Sequence, residues 1–151
     1  MLIKGFQKTT LIDYPEKIAC TIFLHGCNFR CGFCHNPELV LTSNSKEYSQ
    51  KEILDFLEKR KKYLDAVCIT GGEPLATLEK NFVKKIKSLG YLIKIDTNGS
   101  FPEKLKEFLD ENLVDFVSMD IKSSKEKYLF VVGKSVDFEK IEESMKLVSD
   151  L

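Results

Sequence analysis

Ile18-Ala19-Cys20-Thr21-Ile22-Phe23-Leu24 leads through His25-Gly26 into Cys27-Asn28-Phe29-Arg30-Cys31-Gly32-Phe33-Cys34. The first seven residues are apolar almost throughout, the pattern of a strand covered on both faces rather than half-exposed. That strand delivers the chain directly into a loop carrying three thiols at Cys-x3-Cys-x2-Cys spacing. Thiolates are the usual protein ligands of iron–sulfur clusters, and a four-iron cluster closes with four of them. Three thiols close together leave one iron without a protein ligand. By the logic that separates open catalytic metal sites from closed structural ones, that position is where a reaction can take place.

Outward from this stretch, Leu2–Lys8 reads as a strand joined to Lys17–Leu24 through the turn residues Asp13-Tyr14-Pro15-Glu16. The polar segment Thr42–Tyr48 reads as a surface connection. Ser49 and Glu52 match a capping box, and Ile53, Leu54 and Leu57 predict a helix to about Lys62. Ala66–Thr70 is a second short apolar run, ending in Gly71-Gly72-Glu73-Pro74. Phe82, Val83, Ile86 and Leu89 mark a second amphipathic helix, stopped by Gly90. Tyr91–Ile95 reads as a strand ending in Asp96-Thr97-Asn98-Gly99. Ser100 and Glu103 match another capping box, ahead of a helix with Leu105, Phe108 and Leu109 on its apolar face. Val114–Met119 is the last clear strand, and Tyr128–Val132 fits a strand or a buried turn. Asp137 predicts the cap of a final helix bearing Ile141, Met145 and Val148.

Strands alternating with helices imply parallel pairing, so the fold class is α/β. In barrel-like β/α folds the site lies at the carboxyl ends of the strands. Here those ends carry the cysteine loop, Gly-Gly-Glu-Pro, Asp-Thr-Asn-Gly and Ser118-Met119-Asp120-Ile121-Lys122, which on one rim would form a single site. Gly71 and Gly72 would let backbone approach a ligand closely. Glu73 could accept from an ammonium and Lys122 could pair with a carboxylate. Asp96 and Asn98 could hydrogen-bond a ribose or a base. An amino acid joined to a nucleoside meets all these demands, and S-adenosylmethionine is such a molecule.

The cysteine spacing with Gly71-Gly72-Glu73-Pro74 resembles the radical S-adenosylmethionine superfamily. Ile12-Asp13-Tyr14-Pro15, His25–Cys31, Cys34-His35-Asn36-Pro37, Asp96–Gly99 and Met119–Lys122 further resemble its glycyl-radical-enzyme activases. Among these the resemblance is to the activating proteins of anaerobic ribonucleoside-triphosphate reductase, and at most of the same places to pyruvate formate-lyase activating enzymes.

The resemblance implies a partial (β/α) barrel with an N-terminal β-hairpin, one domain over residues 1–151. Six strands are usual in the family, so it also implies truncation after about four β/α units, or a compact variant like the shorter reductase activases. It implies that Cys27, Cys31 and Cys34 ligate a [4Fe–4S] cluster whose fourth iron takes S-adenosylmethionine. Phe33 would lie near the adenine, and Gly71, Gly72 and Glu73 would hold the methionine amino end. Asp96 and Lys122 would contact the cofactor. Asp96, Thr97 and Asp120, with the Ser118 carbonyl, would form a monovalent-cation site beside it. The implied partners are a glycyl-radical enzyme and a flavodoxin- or ferredoxin-like electron donor.

Composition sets the limits. Lysine plus arginine equals aspartate plus glutamate at 23 each, so no basic surplus points to nucleic acid. No apolar run reaches the roughly 18 residues that span a bilayer. The amino terminus lacks a signal-peptide pattern, and five cysteines without one argue for reduced thiols in a cytoplasmic protein. Cys20 and Cys68, inside apolar strands, read as core. His25 and His35 flank the loop, where each could hydrogen-bond a cluster or the loop backbone, or complete a zinc set. The rival readings are another glycyl-radical enzyme as target, a radical enzyme acting on a small molecule, and a non-catalytic iron–sulfur or zinc module.

Overall fold

A computed structural model describes residues 1–41 and 46–151. Its sheet has five strands in the order of the chain: β1 (Ile3–Thr10), β2 (Ala19–Leu24), β3 (Ala66–Gly71), β4 (Leu92–Thr97) and β5 (Phe116–Met119). β1 runs antiparallel to β2, making the expected hairpin, and the remaining neighbours are parallel. The helices are α1 (Pro37–Leu41), α2 (Gln50–Arg60), α3 (Pro74–Thr77), α4 (Lys80–Ser88), α5 (Pro102–Asp110), α6 (Tyr128–Val132) and α7 (Phe138–Ser149).

Strand alternation sorts the two faces of the sheet. Cys20, Ile22 and Leu24 on β2, Val67 and Ile69 on β3, Ile93 and Ile95 on β4 and Val117 on β5 point one way. They are buried with Ile53 and Leu57 of α2, Phe82, Val83 and Ile86 of α4, and Leu105 and Phe108 of α5. The main core therefore lies between the sheet and these helices. The other face carries smaller and polar side chains, including Thr21, Cys68, Lys94 and Asp96. At its amino end Tyr14, from the turn after β1, packs over Ala19, Ala66 and Cys68. Parallel strands added in chain order, with the core helices on one face, are the arrangement of an incomplete barrel rather than a doubly wound sheet.

Most local signals lead to the elements they predict. Ser49 Oγ accepts from the Glu52 N–H, while Glu52 Oε2 accepts from the Ser49 N–H, at 3.1 and 2.7 Å. Gly90 takes φ +91° just past α4, a left-handed stop that costs glycine little. Asp137 caps α7 by accepting from Glu139 N.

Three expectations need correction, and a fourth is only partly covered by the described residues. Ser100 does not cap α5: Phe101 is the N-cap residue and Pro102 opens the helix. Proline is favoured at that first position because its missing N–H is not needed there, and the Ser100 hydroxyl turns to Asn98 instead. Tyr128–Val132 is a short helix, closed by Gly133 at φ +64°. On α7 the buried positions are Ile141 and Ser144, while Met145 faces solvent. The connection expected over Thr42–Tyr48 falls partly on residues 42–45, outside the described residues, and Tyr48 bridges to Ile3.

Candidate functional site

The parallel pairing of β2 and β3 continues past both strand ends. Gly72 N–H donates to Leu24 O (2.9 Å) and Glu73 N–H to Gly26 O (2.8 Å), so the entrance of the cysteine loop is laced to Gly-Gly-Glu. This lacing explains the glycines. A Cβ on Gly71 would lie 2.4 Å from Leu24 O, and one on Gly72 would lie 1.9 Å from Gly26 O. The space that sequence reasoning gave to a ligand is taken by backbone of the cysteine loop's own approach. Both glycines still line the cavity beyond.

Glu73 also departs from expectation. Its side chain is 0% exposed and is absent from the cavity lining. Oε1 accepts from Leu75 N (3.0 Å) and Thr97 Oγ1 (2.8 Å), and Oε2 accepts from Asn98 N (2.7 Å). Burial pushes its carboxyl up to about 7, against the pull of these donors. Glu73 is thus a tie between the ends of β3 and β4, turned away from any ammonium in the cavity.

The β4 turn in turn grips the cysteine loop. Asn98 Nδ2 donates to Asn28 Oδ1 (2.9 Å), Asn28 Nδ2 donates to Ser100 Oγ (2.8 Å), and Ser100 Oγ donates to Asn98 Oδ1 (2.6 Å). Cys27 Sγ lies 3.9 Å from Asn98 Nδ2 and accepts from Phe29 N at 3.3 Å. On the opposite side Phe29, 2% exposed, packs with Tyr128, Val132 and Ile141. Phe29 meets Tyr128 edge-on at 6.3 Å, and Tyr128 meets Phe138 edge-on at 5.0 Å. Arg30 N–H donates to Val132 O (2.7 Å), and a Cβ on Gly133 would lie 2.7 Å from Arg30 O.

A cavity of about 190 Å³ opens above the strand ends. Cys27, Cys31, Cys34, Gly71, Gly72 and Phe33 border it, as do Asp96, Thr97, Asn98, Asp120 and Lys122, so all four strand ends meet there. A second hollow of about 160 Å³ borders the same three cysteines, with Phe29, Pro37, Val40 and Leu41 among its walls. All five cysteines are free. Burial raises the thiols of Cys27 and Cys31, with Phe29 N–H opposing it at the first and the Lys122 charge at the second. Cys20 and Cys68 are wholly buried and pushed up to about 12, inert core thiols.

Around one zinc, sulfurs at about 2.3 Å from the metal crowd within about 4 Å of each other. Among the described residues no three His, Cys, Asp or Glu side chains converge as a set for a single metal ion. A cubane places each thiolate on its own iron, and three cysteines spread around a hollow fit that demand.

The remaining candidates are distributed as follows. Asp96 pairs with Lys94 at 2.5 Å and Asp120 with Lys122 at 2.6 Å. The Thr97 hydroxyl donates to Glu73 and accepts from Gly99 N, and Thr97 borders the cavity together with Asp96 and Asp120. Ser118 lies opposite Asp96 in the β4–β5 register and does not border the cavity. Phe33 is 54% exposed, its ring 6.0 Å from Lys122 Nζ. His35 borders the cavity, whereas His25 does not. Sequence reasoning missed Lys94, Asn28 and the Tyr128–Gly133 brace. Lys94 carried a usable signal, being a lone charge between Ile93 and Ile95 two residues before Asp96.

The profile described as the Radical SAM superfamily matches residues 21–151. A Methanocaldococcus jannaschii protein named as a glycyl-radical enzyme activating enzyme is 38% identical, over 99% of this chain and 62% of its own length. A pyruvate formate-lyase-activating enzyme of Listeria monocytogenes is 32% identical, over 82% of this chain and 54% of its own. The chain thus spans between about half and three-fifths of the length of these relatives. Among solved structures, anSMEcpe with bound AdoMet aligns over 84% of this chain and 38% of its own (TM-score 0.61, 22% identity). QueE from Escherichia coli aligns over 99% of this chain and 77% of its own (TM-score 0.57, 17% identity), and both share its fold. Among the described residues no helix is long and apolar enough to cross a membrane.

Proposed function

The chain belongs to the radical SAM superfamily, and on that footing we propose that it is a glycyl-radical-enzyme activase. A bound [4Fe–4S] cluster would supply the electron that cleaves S-adenosylmethionine to methionine and a 5′-deoxyadenosyl radical, which takes hydrogen from a glycine of the partner enzyme. The single observation carrying this reading is the cavity in which three thiols, the backbone of Gly71 and Gly72, and the side chains of Asp96 and Lys122 meet.

Within that cavity Cys27, Cys31 and Cys34 hold three irons and leave the fourth for the amino and carboxylate groups of S-adenosylmethionine. With Glu73 withdrawn into the core, the amino end falls to the backbone of Gly71 and Gly72. Asp96, paired with Lys94, would face the ribose, and Lys122 with the exposed ring of Phe33 beside it would flank the nucleoside. Phe29, Pro37, Val40 and Leu41 would give the cluster a mostly apolar neighbourhood.

For the partner we favour anaerobic ribonucleoside-triphosphate reductase, on the segment resemblances. Pyruvate formate-lyase is the second reading, favoured by the Listeria relative. A flavodoxin- or ferredoxin-like protein in the cytoplasm would be the electron donor. Anaerobic reconstitution with iron and sulfide, followed by reduction with S-adenosylmethionine, should yield 5′-deoxyadenosine. A glycyl-radical signal on one candidate partner and not the other then assigns the target. Iron bound without cofactor cleavage would leave a binding module instead.

A further inference from the structure

Asn98 reads from sequence as a group for a ribose or a base, and the structure gives it different work. A side-chain amide offers two N–H donors and a carbonyl oxygen with two lone pairs. All four positions of Asn98 are used inside the protein. Oδ1 accepts from Ser100 N at 3.0 Å and from Ser100 Oγ at 2.6 Å. Nδ2 donates to Asn28 Oδ1 at 2.9 Å and reaches Cys27 Sγ at 3.9 Å. Nothing is left over for a nucleoside.

The placement is also held from behind. Asn98 N–H is fixed by Glu73 Oε2, and Glu73 is itself wholly buried and tied to Thr97 and Leu75. Asn28, next to Cys27, closes the ring by donating to Ser100 Oγ. Although Asn98 borders the cavity, its amide cannot turn to a ligand there without breaking its bonds to Ser100 and Asn28.

We propose that Asn98 is a positioning residue for the metal centre, aiming one N–H at Cys27 Sγ and so setting the reduction potential of a cluster bound there. The proposal rests on the cluster reading above. Hydrogen bonds to ligating sulfurs are among the levers that set iron–sulfur potentials. A donor withdraws negative charge from the thiolate, which stabilises the reduced cluster, the more negative of the two states, and raises the potential. Cys27 receives two such donors, from Asn98 and from Phe29 N.

Asn98→Asp tests this. A carboxylate of the same shape can still accept from Ser100, but it can donate neither to Cys27 nor to Asn28, and it places a negative charge beside the sulfur. In the reconstituted protein, the expected result is wild-type iron content with the one-electron reduction equilibrium about tenfold less favourable. At 59 mV per decade, that is a midpoint potential lower by about 59 mV. Affinity for S-adenosylmethionine should stay within about threefold of wild type. An unmoved potential, or a loss of cofactor affinity of tenfold or more at unchanged potential, overturns the proposal and returns Asn98 to the nucleoside.

A second measurement needs no cluster and separates this proposal from the activase reading. In the iron-free protein, mass-mapped alkylation of Cys27 should slow at least threefold in Asn98→Asp, because the attacking species is the thiolate. Cys34 should keep its rate. Equal rates at Cys27 in the two proteins would show that Asn98 does not act on that sulfur, whether or not iron binds.

Discussion

On its β4 side the cysteine loop meets Asn28, Asn98, Ser100 and Glu73, polar groups that hydrogen-bond one another at 2.6–3.0 Å. On its α6 side it meets Phe29, Tyr128, Val132 and Ile141, which pack as a small apolar cluster. Burial is nearly complete on the second side, yet only the first controls direction. A hydrogen-bonded ring fixes where a particular N–H points, because a hydrogen bond weakens steeply once its angle departs from linear. Aromatic packing fixes only that the loop stays down, since apolar contact has no preferred axis beyond edge-on or offset ring geometry. The loop therefore draws its stability from one flank and its chemistry from the other.

That division is broken most severely by Phe29→Ala. Removing a buried aromatic side chain costs about 3–5 kcal/mol through lost transfer energy and the cavity left behind. Phe29 is the residue that carries the loop into the α6–α7 cluster. Urea denaturation of the iron-free protein should register a loss of that size. A loss below about 1 kcal/mol would mean that the loop does not depend on its apolar flank, and the comparison would fail at its stronger half.

The polar flank is sharpened by pH. Burial holds the folded carboxyl of Glu73 at about 7, above its ordinary value of 4.5. Between those limits the folded state keeps a proton that the unfolded state has released. Stability from this group is full below about pH 4.5 and falls as pH rises through about 7. Carboxylates with lowered values, such as Glu111 at about 2 under its lysine partners, have the opposite sign and lose their contribution only in stronger acid. Glu73→Gln cannot ionise. Subtracting its urea stability from that of the wild type at pH 5 and pH 7.5 isolates the effect. The difference should favour wild type more at pH 5. A difference that grows with pH would place an ionised Glu73 in the fold at both values.

The sequence carried these two flanks unequally. The sheet was readable because Ile18–Leu24 is apolar on both faces and each later strand ends in polar or glycine-rich residues. Convergence on one cavity followed from β/α geometry. The polar flank was readable as a set of residues but not as a set of roles. Glu73, Asn98 and the two glycines are types that bind ligands, and nothing local says that a neighbouring strand end has already claimed them. Ser100 shows the same limit on a smaller scale, since its spacing to Glu103 fits a cap until Pro102 shifts the helix start by one residue. The apolar flank was hardly readable at all. Tyr128–Val132 has the composition of a strand, and it turns helical where Gly133 can adopt φ +64° against Arg30 and Val132 O can take the Arg30 N–H. Arg30, the partner in both contacts, lies far away in the chain.

Tyr128 supplies the finest test, because it belongs to the apolar flank and carries a polar atom. Its ring is 1% exposed and sits edge-on to both Phe29 and Phe138. Its hydroxyl accepts from Lys122 N at 3.5 Å, at the far limit of hydrogen bonding. Phenylalanine keeps the ring and every edge contact and gives up only that long bond. If packing holds this side, Tyr128→Phe should cost less than about 1 kcal/mol, the net worth of an ordinary hydrogen bond or below. Its effect should be local, as faster amide exchange at Lys122 with exchange at Phe29 and Arg30 unchanged. A cost approaching that of Phe29→Ala would mean that the hydroxyl, and not the ring, secures the flank. Polar direction would then govern both sides of the cysteine loop, and Lys122 would be coupled to the cysteines through Tyr128.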